Sequence, residues 1–219
     1  MASWMIHLRV ADKLLDRIPH ISPIEFIMGN MAPDSGVPNE DWSAFTPAKA
    51  LSHFQIDGKN IDPNAYIARY FTPEHRAGYD SGQFAFHLGY LCHLMADVVW
   101  HDEIYLPCRA RCIHEFESDK NAFISRVKAD WYDLDFLYLK KHPGFRAFRA
   151  YLGSVGFVNR YLDFFAPDAF DSRRAYITDF YLQPREGLER AYPYLTEARS
   201  DAFVDEVANR IMDRLEELL

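Results

Sequence analysis

Between Gly89 and His101 the chain reads Gly-Tyr-Leu-Cys-His-Leu-Met-Ala-Asp-Val-Val-Trp-His, apolar except for His93, Asp97 and His101. These three stand at i, i+4 and i+8. Each step of four residues advances an α-helix by about 40° around its axis, so all three are expected on one face. A carboxylate between two imidazoles in an oily helix is costly to bury unless something charged meets it. Imidazole nitrogen and carboxylate oxygen are ligands that zinc accepts, and zinc with one position open to water serves hydrolysis. Similar donors recur elsewhere: His7 on the apolar face of the first helix, His53 between hydrophobes in Leu-Ser-His-Phe, and Asp34 in a turn after a helix end. Taken singly, a core histidine is more often hydrogen-bonded than ligating, and Asp34 reads as a turn or cap residue. Asp97 has no such ready structural explanation.

The elements that must position these residues read as helices. Ser3 stands as the cap of a first helix running to about Ile18, with Val10, Leu14 and Ile18 on its apolar face. Ser22-Pro-Ile-Glu25 has the pattern of a capping box with proline at the first helical position, and this helix should stop at Gly29-Asn30. An irregular stretch from Met31 to about Phe54 follows, and a loop of that length inside a folded unit is usually functional. Its aromatic part, Trp42 to Phe54, could line a substrate mouth or merely seal the core. Asp62-Pro63 opens a helix through Phe71, Thr72-Pro73 begins a further turn, and Ser81 caps the long helix to His101. Pro107 reopens helix with Cys108, Cys112 and His114. Asp119 to Lys141 is periodic in Phe123, Val127, Trp131, Leu134 and Leu137. Pro143 opens another helix, and Ser200 caps a last one striped by Phe203, Val207, Ile211, Leu215 and Leu218. No alternating strands, repeats or low-complexity linkers interrupt this pattern, so one all-α domain over residues 1–219 is expected.

Composition sets outer bounds. The chain is 49% hydrophobic, with 17 phenylalanines and 13 tyrosines, enough for a substantial core. Its net charge of -8 argues against a broad nucleic-acid surface, although a bound metal would reverse the local field for a small phosphorylated substrate. Phe84 to Trp100 is long and oily but carries His87, His93 and Asp97, which disfavours a membrane span. Three cysteines, one of them inside the apolar helix, read as reduced thiols. Met1 to His7 lacks a basic region, a long apolar run and a cleavage signal, so a cytoplasmic location is expected. The oligomeric state is open.

Together the motifs resemble the zinc-dependent phospholipase C family, a bacterial all-α fold related to fungal zinc nucleases for single strands. The residues that carry the resemblance are Trp4-x-x-His7, Phe26-x-x-Gly29-Asn30-x-x-Pro33-Asp34, Ser52-His53-Phe54 and Phe86-His87-Leu88-Gly89-Tyr90-x-x-His93-x-x-x-Asp97, in the family's order across about residues 4–118. The resemblance implies that Asp34, His53, His93 and Asp97 hold one zinc ion, and that Asp97 bridges to a second held also by His7. His101 and His114 match the order of the two histidines of the family's third site. Its glutamate falls here on Ser118, beside Glu117 and Asp119, so two ions are the expectation and the third rests on this departure. Secreted members also use the backbone of an N-terminal tryptophan as ligand, whereas Trp4 here lies three residues before His7. Asp34 is implied as ligand and as the base that orients the attacking water. Candidates to hold the imidazoles from behind are Asp57, Asp62 and Asp102. The implied activity is hydrolysis of a phosphoric diester, a phospholipid head group or a small soluble phosphodiester.

Two alternatives stand beside this reading. His101-Asp102 is the dipeptide of the HD-type phosphohydrolases, also all-α, though that reading leaves His93 and Asp97 without a role. A non-catalytic metal-binding helical module with a degraded site is the other. Residues 120–219 resemble nothing further, and the run Asp130 to Tyr138 could pack under the site or form a dimer face.

Overall fold

The computed structural model describes residues 1–41 and 43–216; Trp42 of the loop and Leu218 of the last apolar stripe lie outside them. The elements run in order α1 (Trp4–Leu15), α2 (Pro23–Met31), a 3-10 turn (Ala32–Asp34), β1 (Val37–Pro38), β2 (Phe45–Thr46), α3 (Lys49–Ser52), α4 (Pro63–Tyr70), α5 (Pro73–Gly78) and α6 (Ser81–Trp100). A π-helical turn (His101–Tyr105) then leads into α7 (Leu106–Arg111), α8 (Ile113–Ser118), α9 (Lys120–Lys141), α10 (Arg146–Gly153), α11 (Ala169–Leu182) and α12 (Glu197–Leu215). The fold is all-α, as the periodicity indicates. Among the described residues its strands are one short antiparallel pair, with Val37 opposite Thr46, inside the 31–54 loop.

α6 lies at the centre. Thirteen of its residues are buried, from Ala85 to Trp100, so it is apolar nearly all round, as a helix packed on several sides must be. α2 crosses it most closely. A Cβ at Gly89 would run into the backbone carbonyl of Phe26, and one at Gly29 into that of Phe86. The two glycines therefore let backbone meet backbone, and the Asn30 amide donates to the Gly89 carbonyl across the crossing at 3.3 Å. α12 covers α1, where the Arg9 guanidinium donates to Ser200 Oγ at 3.2 Å and to Asp201 at 2.5 Å and lies 4.0 Å over the Tyr138 ring.

Several helix starts differ from the sequence expectation. Asp80, not Ser81, caps α6: its side chain accepts from the Gln83 amide while the Gln83 side chain accepts from the Asp80 amide. Thr196 rather than Ser200 caps α12, and Ser200 is buried inside that helix. Ser22 precedes α2 but makes no side-chain cap, so Pro23 alone marks the start. α2 also runs past Gly29-Asn30 to Met31, because Gly29 serves the crossing and not a helix end. Pro143 precedes α10 without opening it, Phe145 being the residue at its cap position. α11 has no counterpart in the sequence reading. The helix starts at Asp62 and Thr72 stand where expected, each residue capping with its side chain, and Asp119 caps α9 at the start of the periodic segment. No helix among the described residues is long and apolar enough to cross a membrane.

Candidate metal centre

Four elements deliver side chains to one point. α1 contributes His7, the 3-10 turn after α2 contributes Asp34, the end of α3 contributes His53, and α6 contributes His93 and Asp97. His53 turns inward just before Phe54, whose φ of 52° puts a non-glycine residue in the left-handed region, a strain that persists only where surrounding packing enforces it. The Phe54 ring is held edge-on against Tyr66 at 5.0 Å.

Asp97 is the hub. Its Oδ1 lies 3.3 Å from His7 Nε2 and accepts from the Ala2 amide at 2.6 Å; its Oδ2 lies 3.4 Å from His93 Nε2 and 3.7 Å from His53 Nε2. Asp34 Oδ1 stands 3.4 Å from His53 Nε2. The His7 and His93 rings stack at 3.7 Å and 9°. Donor atoms of His53, His93 and Asp97 fall within 4.8 Å of one another, as do those of His7, Asp34 and His93.

The electrostatics are those of a site built around positive charge. Burial pushes the His7 imidazole down to about 4, helped by His93 and opposed by Asp97. Burial alone would lower His93 as well, but Asp97 and Asp34 outweigh it and raise it. Burial would raise both carboxyls. Contact with His53 and the charges of His93, His53 and Lys49 instead hold Asp34 well below the carboxylate range, and the chain's ammonium terminus, His93 and His7 do so for Asp97.

Both nitrogens of His7, Nε2 of His53, Nε2 of His93 and Oδ2 of Asp97 are buried without a hydrogen-bond partner. Each orphaned group of this kind costs roughly 1–3 kcal/mol, so the cluster is expensive unless a further atom binds there. The donor set of imidazole nitrogen and carboxylate oxygen is the one zinc takes. These residues therefore fit a metal. Two of the rings are held from behind: His93 Nδ1 contacts the Asn30 carbonyl at 2.8 Å, and His53 Nδ1 contacts Ser52 Oγ at 3.0 Å. The tyrosine hydroxyl of Tyr90 donates in turn to the Ser52 carbonyl. This replaces the expected role of Asp57, Asp62 and Asp102. Asp57 accepts from its own turn, Asp62 caps α4, and Asp102 pairs with its neighbour His101.

His101 and His114 stand apart from the cluster. Eight residues carry a side chain about 80° around a regular helix, and His101 stands where α6 ends and a π-helical turn begins. Its side chain is 48% exposed with Nδ1 2.9 Å from Asp102, and His114 is exposed on α8 with Glu117 beyond it. Neither joins a group of three donor side chains among the described residues; His101 lines the cavity beside Asp34 but pairs with the exposed Asp102, not with the buried centre. His87 is a satisfied core residue: Nδ1 meets the Tyr66 hydroxyl at 2.8 Å, and the ring stacks between Tyr70 and Tyr79.

Of the five clustered side chains, Asp34 alone is appreciably open, at 9% exposure against 0–1% for the others. It opens into a cavity of about 490 Å³. The start of the chain, Lys49 of α3, Lys128 and Trp131 of α9 and Arg173 of α11 line that cavity. The back half of the chain thus supplies a wall of the site, partly through Trp131 and Tyr132 of the aromatic run 130–138 and partly through Lys128 and Arg173, which no sequence pattern singled out. Ser3 is held here as well. Its hydroxyl donates to Asp135 at 2.8 Å instead of capping α1, and the Tyr181 hydroxyl donates to the other oxygen of Asp135 at 2.6 Å.

The family described as zinc dependent phospholipase C matches residues 6–149. No curated protein and no solved structure matches the chain. The matched span exceeds half of the sequence and contains all five clustered residues, and on that basis this chain belongs to the zinc-dependent phospholipase C family.

Proposed function

We propose that this protein is a zinc-dependent phosphodiesterase acting on small phosphodiesters or phospholipid head groups. The observation that carries the reading is the set of orphaned donors on His7, His53, His93 and Asp97, closed to solvent on every side except where Asp34 meets the cavity. A purely structural metal site would have no need of that opening. Zinc held there would lower the pKa of a water to near 7 and withdraw charge from the phosphoryl oxygens.

The chain's own residues do the rest. His93 and Asp97, one turn apart on a rigid helix, hold two donors in fixed register. The Asn30 carbonyl and the Ser52 hydroxyl fix ring orientation, and the Asn30 contact keeps the proton of His93 on Nδ1 so that Nε2 faces the cluster. Asp34, ionised and at the mouth, is placed to take a proton from a water entering the cavity.

The test is elemental mass spectrometry on protein purified without chelator, read beside hydrolysis of bis(p-nitrophenyl) phosphate. The wild type should carry two zinc ions per chain, and Asp97→Ala should lose most of them. Asp34→Asn should lower turnover by about 100-fold or more. Absence of stoichiometric metal in the wild type would overturn the proposal.

A further inference from the structure

The cavity beside Asp34 has a charge pattern opposite to that of the whole chain. The protein carries a net charge of -8, yet Asp34 is the only carboxylate lining the cavity among the described residues, while Lys49, Lys128 and Arg173 all reach it. These cations come from three separate elements, α3, α9 and α11. Neither lysine has a carboxylate within ion-pair distance among the described residues, although the Lys49 ammonium rests 4.5 Å over the Phe45 ring. Arg173 is nearly buried, and its guanidinium donates to the Gly36 carbonyl beside the mouth. Desolvation and then the charge of Lys49 lower Lys128 from its ordinary value, which places the two ammonium groups within each other's field. Like charges sharing a half-enclosed space are costly to keep unless an anion joins them. The remaining wall is aromatic, with Trp4 packed edge-on against Phe180 at 5.7 Å and Tyr176 at 6.0 Å.

A diester phosphate brings one negative charge, and the metal held by the histidine and aspartate cluster would already meet it. Lys49 and Lys128, two ammonium groups with no carboxylate at ion-pair distance among the described residues, would be met by a second anionic group on the same molecule. We propose that this cavity selects phosphodiesters that carry an additional phosphate or comparable anion next to an apolar or aromatic portion, and rejects head groups that carry a positive charge. The proposal rests on the phosphodiesterase reading, since it names the substrate class of that same site. The aromatic wall alone would also suit a quaternary ammonium group. The absence of a second carboxylate and the presence of the lysines decide against it.

Isothermal titration calorimetry with glycerophosphoinositol 4-phosphate, glycerophosphoinositol and glycerophosphocholine reads the preference without any turnover. The 4-phosphate compound should bind at least about ten-fold more tightly than the choline compound, with an advantage that shrinks as salt is raised. In Lys49→Gln/Lys128→Gln, checked for folding by circular dichroism, the ratio between the two affinities should fall towards one. Equal or tighter binding of the choline compound, an unchanged ratio in the double variant, or no binding of any of the three would each overturn the proposal. Hydrolysis of bis(p-nitrophenyl) phosphate in parallel separates the two claims. If it fails while the anionic preference stands, the phosphodiesterase reading falls and the binding preference survives. Dihexanoyl phosphatidylinositol 4-phosphate set against its deacylated form distinguishes a lipid from a soluble source of the same head group.

Discussion

Asp97 shows how much one side chain can organise. Both of its oxygens are buried, one engaged by the Ala2 amide and facing His7, the other between His53 and His93 with no proton to accept. The groups behind the imidazoles matter for the same reason, because a ring free to rotate presents its lone pair in the wrong direction. Ser52→Ala removes the hydroxyl beside His53 Nδ1 and leaves every ligand in place. It should weaken zinc binding by about ten-fold in a chelator competition titration, with little change in fold. His93 and Asp97 were legible in the sequence because a carboxylate in an apolar run is anomalous even in one dimension. Lys49, Lys128 and Arg173 were not. A lysine or an arginine on a helix is ordinary until the fold brings two of one and one of the other to a single opening. His101 misled for a geometric reason, since i+8 already rotates a side chain about 80° from the first residue and the helix loses its cover at that end.

At the level of elements, the crossing of α2 and α6 sets the position of the centre. Asn30 and Asp34 follow directly from one helix, His93 and Asp97 from the other, and Gly29 and Gly89 fix the distance between them. Gly89→Ala would press a methyl group into the Phe26 carbonyl and the Asn30 amide, which are backbone and cannot rotate away. The expected cost is about 3 kcal/mol or more in urea unfolding, well above the fraction of a kcal/mol that glycine-to-alanine normally gains in a helix. Most of the helices, α11 excepted, were readable from periodicity and from the Asp62-Pro63 and Thr72-Pro73 starts. Gly29 was read, with Asn30, as a helix end because its packing partner Gly89 lies 60 residues away in sequence. The same limit applies to Ser3, whose hydroxyl has a better acceptor in Asp135 than in its own helix.

Across the whole molecule, the two halves meet through buried polar groups as well as through the core. Asp135 on α9 ties Ser3 at the start of α1 to Tyr181 on α11. Burial raises this carboxyl to about 7, against the two hydrogen bonds that favour its charge. A carboxyl whose folded pKa lies above its unfolded value binds more protons when folded. It therefore contributes most below about pH 4, and that contribution declines as pH rises through about 7. Asp135→Asn cannot ionise and cannot accept both hydrogen bonds, so it carries a pH-independent cost. The stability difference between variant and wild type should nevertheless shift in favour of the variant between pH 4 and pH 7 and then level off, which denaturant melts across that range will show. The last 70 residues lie beyond the family match yet provide Arg173, Tyr176 and Phe180 to the cavity. Variation in this half would change what the site accepts without touching the residues that hold metal.

The α2–α6 crossing has a kinetic consequence as well. Contacts between backbones have no rotamers to exchange, so this junction cannot loosen by the small side-chain rearrangements that let most helix pairs breathe. Opening it requires one helix to leave the other, which is close to unfolding the protein. Ions seated beneath it would then have a single quick exit, past Asp34 through the cavity, and a molecule resting in that cavity would trap them for as long as it stayed.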